Sequence, residues 1–136
     1  MNRENMVNLS KIRMEHAYEC LRDAKGCLDL RAYKSAANRS YYAVFHAMRA
    51  VLALDGLDFK RHSGVLSEFQ RRYVKNGVFP ITYSREITKM FDVRTKSDYD
   101  DFYVVSIEDV IAQVQNAEKM IGAIKSYLRE EWLKEM

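Results

Sequence analysis

The chain has 136 residues, of which 48% are apolar and 30% charged, with only five glycines and one proline. That length is enough to bury one core without metal or disulfide staples, and that composition speaks against a disordered chain and against an all-β sandwich. The net charge of +3, from 22 basic and 19 acidic residues mixed along the chain, permits a phosphate-bearing partner without demanding one.

The opening segment MNRENMVNLSKIR lacks the apolar core of a signal peptide, and no window reaches the ~20 apolar residues of a membrane span. A cytoplasmic protein without membrane association is expected. Leu9, Ile12, Ala17, Leu21, Ala24 and Leu28 recur at helical spacing, with Asn8 or Ser10 as the cap, which predicts a first helix to about Leu30. Its two cysteines, Cys20 and Cys27, lie roughly 10 Å apart along that helix, too far for a disulfide, and read as small buried thiols.

A second helix is predicted from about Ala32 to Leu54; it contains seven alanines and no glycine or proline, and Asp55-Gly56 stops it. Ser63 is placed to cap a third helix with Val65, Leu66, Phe69 and Tyr73 inward, ending before Asn76-Gly77 and Pro80. A shorter fourth helix follows from about Ser84 to Arg94, with Ile87, Met90 and Phe91 inward. The segment DFYVVS, Asp101 to Ser106, leads into a last helix, where Ser106 and Asp109 form a capping box and Val110, Val114, Ala117, Ile121, Ile124 and Leu128 make a bundle seam. The fold class is therefore all-α: one domain over residues 1–136, an antiparallel bundle of four main helices plus a short one.

The stretch RSYYAVFH, Arg39 to His46, departs from an ordinary amphipathic helix. At ~100° per residue, Tyr41, Val44, Met48, Val51 and Leu52 share one side, which is core. The other side carries Ser35, Arg39, Tyr42, Ala43, His46, Ala50 and Ala53, and the only formal charges between Asn38 and Leu54 are Arg39 and Arg49. A solvated face would carry lysine and glutamate, so this side is expected to be covered or to line a cleft. One reading is that Arg39 and His46 are satisfied hydrogen-bonders in a helix interface. The other is chemical: an imidazole that exchanges a proton near neutral pH and an arginine that stabilises a phosphate suit metal-free RNA cleavage. The seven-residue step puts the two about 10 Å apart with Arg39 leaning away, so two copies packed antiparallel about a two-fold axis are needed for a composite site, and the small residues suit such close packing.

The segments NRSYYAVFHAMRAVLALDG, KRHSGVLSEF and RTKSDYDDF, in that order, resemble the HEPN domain family of prokaryotes. The resemblance covers nearly the whole chain. It implies an α-helical, dimeric bundle and, for many members, a metal-independent ribonuclease acting as a toxin beside a minimal nucleotidyltransferase antitoxin. The family's motif, an arginine, four to six residues and a histidine, falls on Arg39 and His46; by resemblance Arg39 holds the scissile phosphate and His46 moves a proton or positions the 2′-hydroxyl. Ser40 fills the place of a polar residue that follows the arginine in some members. Others carry, two residues after the histidine, a tyrosine that the partner enzyme modifies with nucleotides; Met48 stands there instead.

Around this pair, Tyr42 shares the face, and Lys60, Arg61 and His62 precede a helix start where cations and free amides would hold a phosphate, against the plainer reading of a solvated loop. Arg94 and Asp98 are four apart, an ordinary helical ion pair; by resemblance Arg94, Asp98 and Tyr99 instead pack near the second helix and support the site. The run Arg71, Arg72 and Lys75 reads first as an exposed charged face and second as an extended RNA path. His16 and Cys20 lack a third ligand, so no metal or cofactor is expected. Two functions follow: a dimeric ribonuclease toxin, or the same bundle without turnover as a nucleotide-binding or docking subunit for a separate nucleotidyltransferase.

Overall fold

The computed structural model describes residues 2–134 and is all-α: five α-helices and, among the described residues, no strand. Helix α1 spans Arg3–Asp29, α2 Tyr33–Leu54, α3 His62–Phe69, α4 Thr82–Tyr99 and α5 Ile107–Leu133, and a π-helical turn over Gln70–Val74 prolongs α3. No helix among these residues is long and apolar enough to cross a membrane.

α1 and α2 form a tight hairpin. Arg31 takes a left-handed φ of 57°, and the Ala32 amide closes the turn by donating to the Cys27 carbonyl at 2.8 Å. The helices then run antiparallel: Ser10 Oγ donates to the Ala50 carbonyl at 2.7 Å and Arg13 Nη1 to the Arg49 carbonyl at 3.0 Å. The alanines of α2 make this close approach possible, since Ala36, Ala43, Ala47 and Ala50 are fully buried and present nothing beyond a methyl group. α5 lies along α2 on another side, tied at one end by Gln113, whose Nε2 donates to the Ala37 carbonyl and Ser40 Oγ, both at 2.9 Å. At the other end Trp132 Nε1 donates to Ser10 Oγ at 2.9 Å. α4 returns antiparallel to α2 and brings Arg94 against Tyr42.

The expected helices are present, with three corrections at their ends. α1 begins at Arg3, six residues or so ahead of the expected caps: Asn2 accepts from the Asn5 amide at 2.8 Å, while Ser10 is buried as a bridge between α2 and α5. Ser63 does not cap α3, which starts one residue earlier behind Arg61. α4 continues past Arg94 to Tyr99, extended by the i,i+4 ion pairs Asp92–Lys96 at 3.0 Å and Arg94–Asp98 at 3.2 Å, so the short helix of the bundle is α3. Gly56, at φ 72°, ends α2 where the Asp55-Gly56 pair predicts.

Candidate active site

α2 sets Arg39, Tyr42 and His46 at successive turns of one face. Arg39 donates through Nε and Nη2 to Asn38 Oδ1 at 3.0 and 2.7 Å, and its Cζ lies 5.1 Å from the Tyr42 ring centroid. One edge of the guanidinium fork is thereby fixed, leaving the other N–H groups towards a shallow groove of about 430 Å³ lined by Asn38, Arg39, Asp23, Cys27, Ser97 and Asp98, among others. The His46 ring stands 6.2 Å from that of Tyr42, so the phenol separates arginine from imidazole.

Tyr42 is held from α4. Arg94 Nη2 donates to its hydroxyl at 3.2 Å, and Arg94 Cζ lies 5.7 Å from the rings of both Tyr41 and Tyr42. Arg94 Nε is 3.2 Å from Asp98 Oδ2, yet makes no aligned hydrogen bond, so the contact is an ion pair alone. Arg94 thus pairs along its own helix and also packs on α2.

His46 is half-buried, and its Nδ1 is enclosed without a hydrogen-bond partner among the described residues. Its ring meets Phe45 at 5.8 Å and, edge-on, His16 of α1 at 5.7 Å. Burial first, then the positive charge of Arg49, His16, Arg39 and Arg13, pushes its pKa from an ordinary 6.5 down to about 4. The imidazole is thus neutral at pH 7, in surroundings that would welcome an anion.

The loop between α2 and α3 brings in the second histidine. Asp58 Oδ2 lies 3.2 Å from Arg13 and Oδ1 3.3 Å from Arg49, and Oδ1 also accepts from the Phe59 amide at 2.9 Å, which pins the loop to the hairpin. Burial alone would raise the Asp58 pKa, but the two arginines hold it below the usual carboxylate range. His62 stacks on Phe45 at 4.1 Å, and its Nδ1 is 2.8 Å from the Tyr41 hydroxyl. Burial pushes the Tyr41 phenol up, so it stays protonated, and the His62 tautomer sets which of the two groups donates. Burial, with Arg94 and Arg49, also lowers the His62 pKa. Lys60 and Arg61 are exposed beside it.

Three expectations need correcting. Ser40 is fully buried, donating to the Ala37 carbonyl at 3.1 Å and accepting from Gln113, so it has no surface for a ligand and serves the α2–α5 contact. Tyr99 is 82% exposed at the end of α4 and packs on nothing that would orient the site. The small residues Ala43, Ala50 and Ala53 are buried within the chain, so they do not present an open stripe to a second copy; what keeps surface on that face is exposed Ser35 and half-buried Arg39, Tyr42 and His46. Arg71 and Arg72 are engaged with Glu68 at 2.8 and 3.0 Å, as an exposed charged face would be.

His16, Arg13, Arg49 and Asp58 were not legible as site residues from motif spacing. A signal for His16 does exist: it and His46 are equally distant along the chain from Arg31, the turn of the α1–α2 hairpin, so antiparallel packing brings them together.

The family model described as HEPN domain matches residues 10–127. A Thermotoga maritima protein named "UPF0332 protein" is 37% identical over 114 residues, covering 84% of this chain and 86% of the relative. A Methanocaldococcus jannaschii protein bearing the name "Putative toxin" is 34% identical over 117 residues, covering 86% and 87% respectively. A second protein of that organism, also named "Putative toxin", is 24% identical over 115 residues, covering 85% and 78%.

Proposed function

The chain belongs to the HEPN family, and from that premise we propose that it is a metal-independent endoribonuclease, the toxin of a pair whose antitoxin is a minimal nucleotidyltransferase. The observation that carries this reading is the row Arg39, Tyr42, His46: a guanidinium with open donors and a neutral imidazole on one face, in cationic surroundings. The relatives bearing a toxin name support the toxin role.

Cleavage proceeds by attack of the ribose 2′-oxygen on the adjacent phosphorus. The 2′-O–P bond forms and the P–O5′ bond breaks, leaving a 2′,3′-cyclic phosphate and a 5′-hydroxyl. Neutral His46 accepts the 2′-hydroxyl proton, and the free N–H groups of Arg39 stabilise the charge on the phosphoryl oxygens. Along one helix the two residues are roughly 10 Å apart, too far to grip one phosphate. A homodimer with α2 facing α2 antiparallel closes that gap by setting the partner subunit's His46 beside Arg39, and the imidazolium formed there gives its proton to the 5′-oxygen as the P–O5′ bond breaks. Lys60, Arg61 and His62 extend the phosphate path, and Arg94 with Asp98 holds Tyr42 in the row.

The test is incubation of the purified protein with mixed single-stranded RNA in excess chelator. Wild type is expected to yield fragments ending in cyclic phosphate, and His46→Ala to lose at least about 100-fold in rate, the usual size of a general acid–base contribution. A folded, partner-free wild type that leaves the RNA intact would refute it. One observation favours a second reading, a binding module that docks a nucleotidyltransferase: an imidazole pushed down to about 4, with Nδ1 unpartnered, is a weak base until an anion arrives.

A further inference from the structure

Beyond the Arg39–His46 pair, the α1–α2 hairpin gathers a second set of cationic groups on the far side of His46 from Arg39. Arg49 follows His46 by one turn, its Cζ 5.9 Å from the Phe45 ring, and its side chain keeps 27% of its surface. His16 reaches the same place from the exposed face of α1. Arg13 lies behind them, buried, with Nη1 bound to the Arg49 carbonyl. Among the described residues a single carboxylate, Asp58, serves both arginines, and it does so from an exposed position at 3.2 and 3.3 Å.

Two positive charges against one negative leave this cluster with one cation in excess. Arg49 Nε and His46 Nδ1, one turn apart, are both buried polar atoms without a hydrogen-bond partner among the described residues. Buried polar groups of this kind call for a partner, and a bound anion can supply one. A phosphodiester carries the single negative charge and the acceptor oxygens that such a place lacks.

We propose that Arg49 and His16 form a second phosphate subsite beside His46, which holds the phosphodiester neighbouring the one gripped at Arg39. Arg39, His46 and Arg49 then lie along about 15 Å of α2, a track for an extended single strand rather than a pocket for one phosphate. Arg13 and Asp58 are positioning residues that fix Arg49 and the loop leading to His62. This deepens the ribonuclease reading, because it assumes that the bound polymer is RNA, but it stands or falls on binding rather than on turnover.

The experiment measures binding of a non-cleavable, 2′-O-methylated single-stranded oligonucleotide by fluorescence anisotropy across a salt series. Each phosphate contact contributes about 0.7 to the slope of log K against log salt. Arg49→Gln is expected to weaken binding and flatten the slope by about that amount, while Arg49→Lys keeps the slope. His16→Ala, on the exposed face of α1, is expected to weaken binding too, and it remains informative if Arg49→Gln fails to fold. An unchanged slope in folded Arg49→Gln, unchanged affinity in His16→Ala, or no binding by wild type overturns the subsite. Cleavage of the unmodified oligonucleotide, run in parallel, separates the two readings: an Arg49-dependent slope with no cleavage retains the subsite and removes the ribonuclease, whereas cleavage with an unaltered slope does the opposite.

Discussion

At the scale of the single residue, His46 carries the chemistry of the proposed reaction, and its environment makes a prediction about pH. The groups that face it are Arg39 and Arg49 from α2 and Arg13 and His16 from α1, and they add to burial in favouring the neutral ring. Titration followed on its ring protons by NMR should therefore give a value near 4 rather than 6.5, and an anion such as inorganic phosphate should raise it. The sign for folding follows from proton counting. Between about 4 and 6.5 the unfolded chain binds more protons at this position, so the neutral ring's contribution to stability is complete above pH 6.5 and lost as pH falls towards 4. In activity, the acid limb of kcat/KM, which reports the free enzyme, should fall well below pH 6.5. A free-enzyme value at or above 6.5 would mean that His46 is solvated and not enclosed as described. The charge-poor face of α2 and the family resemblance singled out Arg39 and His46 in the sequence; the direction of this shift was not readable there, because three of its four charged causes lie outside the motif and two come from another helix.

The hairpin of α1 and α2 is the element on which the site depends, and its turn contains a built-in strain. Arg31 holds a left-handed φ of 57°, a conformation that costs a side-chain-bearing residue about 1–2 kcal/mol. Arg31→Gly removes that cost and adds roughly 0.4–1 kcal/mol of unfolded-chain entropy, leaving a net gain of about 0.5–1 kcal/mol. A higher urea midpoint with an unchanged m-value is the expected result, and a lower midpoint would show that the arginine side chain supports the turn. The ends of α2 and α5 were readable because each has a chemical stop or start: Asp55-Gly56 in one case, and in the other Ser106, whose side chain accepts from the Asp109 amide at 3.4 Å. The end of α4 was not, because Arg94 to Tyr99 has no apolar stripe and is held by ion pairs between polar residues. Ser10 misled for a related reason. A serine ahead of an apolar run reads as a cap, whereas here a real cap, Asn2, stands earlier, and the Ser10 hydroxyl is used between helices. The helical wheel of α2 correctly separated two sides; what one sequence does not reveal is that α1 covers part of the second side within the same chain.

At the scale of the whole molecule, that last point bears directly on the proposed homodimer. With the alanines already covered by α1, a second copy has to meet α2 along the narrower edge of Arg39, Tyr42 and His46, over a groove whose lining already includes α4 through Ser97 and Asp98. A contact of this kind is self-complementary about a two-fold axis and places the arginine of one subunit near the histidine of the other. Mixing two inactive variants tests that arrangement. If each site takes Arg39 from one subunit and His46 from its partner, a heterodimer of Arg39→Ala with His46→Ala holds one doubly damaged site and one intact site. Random re-pairing puts half the dimers in this mixed form, so refolding the variants together should restore about a quarter of the wild-type cleavage rate. If both residues of a site belong to the same subunit, every site in the mixture carries one lesion and nothing is restored. The roughly 10 Å between Arg39 and His46 along α2, with the Tyr42 ring between them, is the reason to expect recovery: one chain offers the two groups to different phosphates, and only opposed copies offer them to the same one.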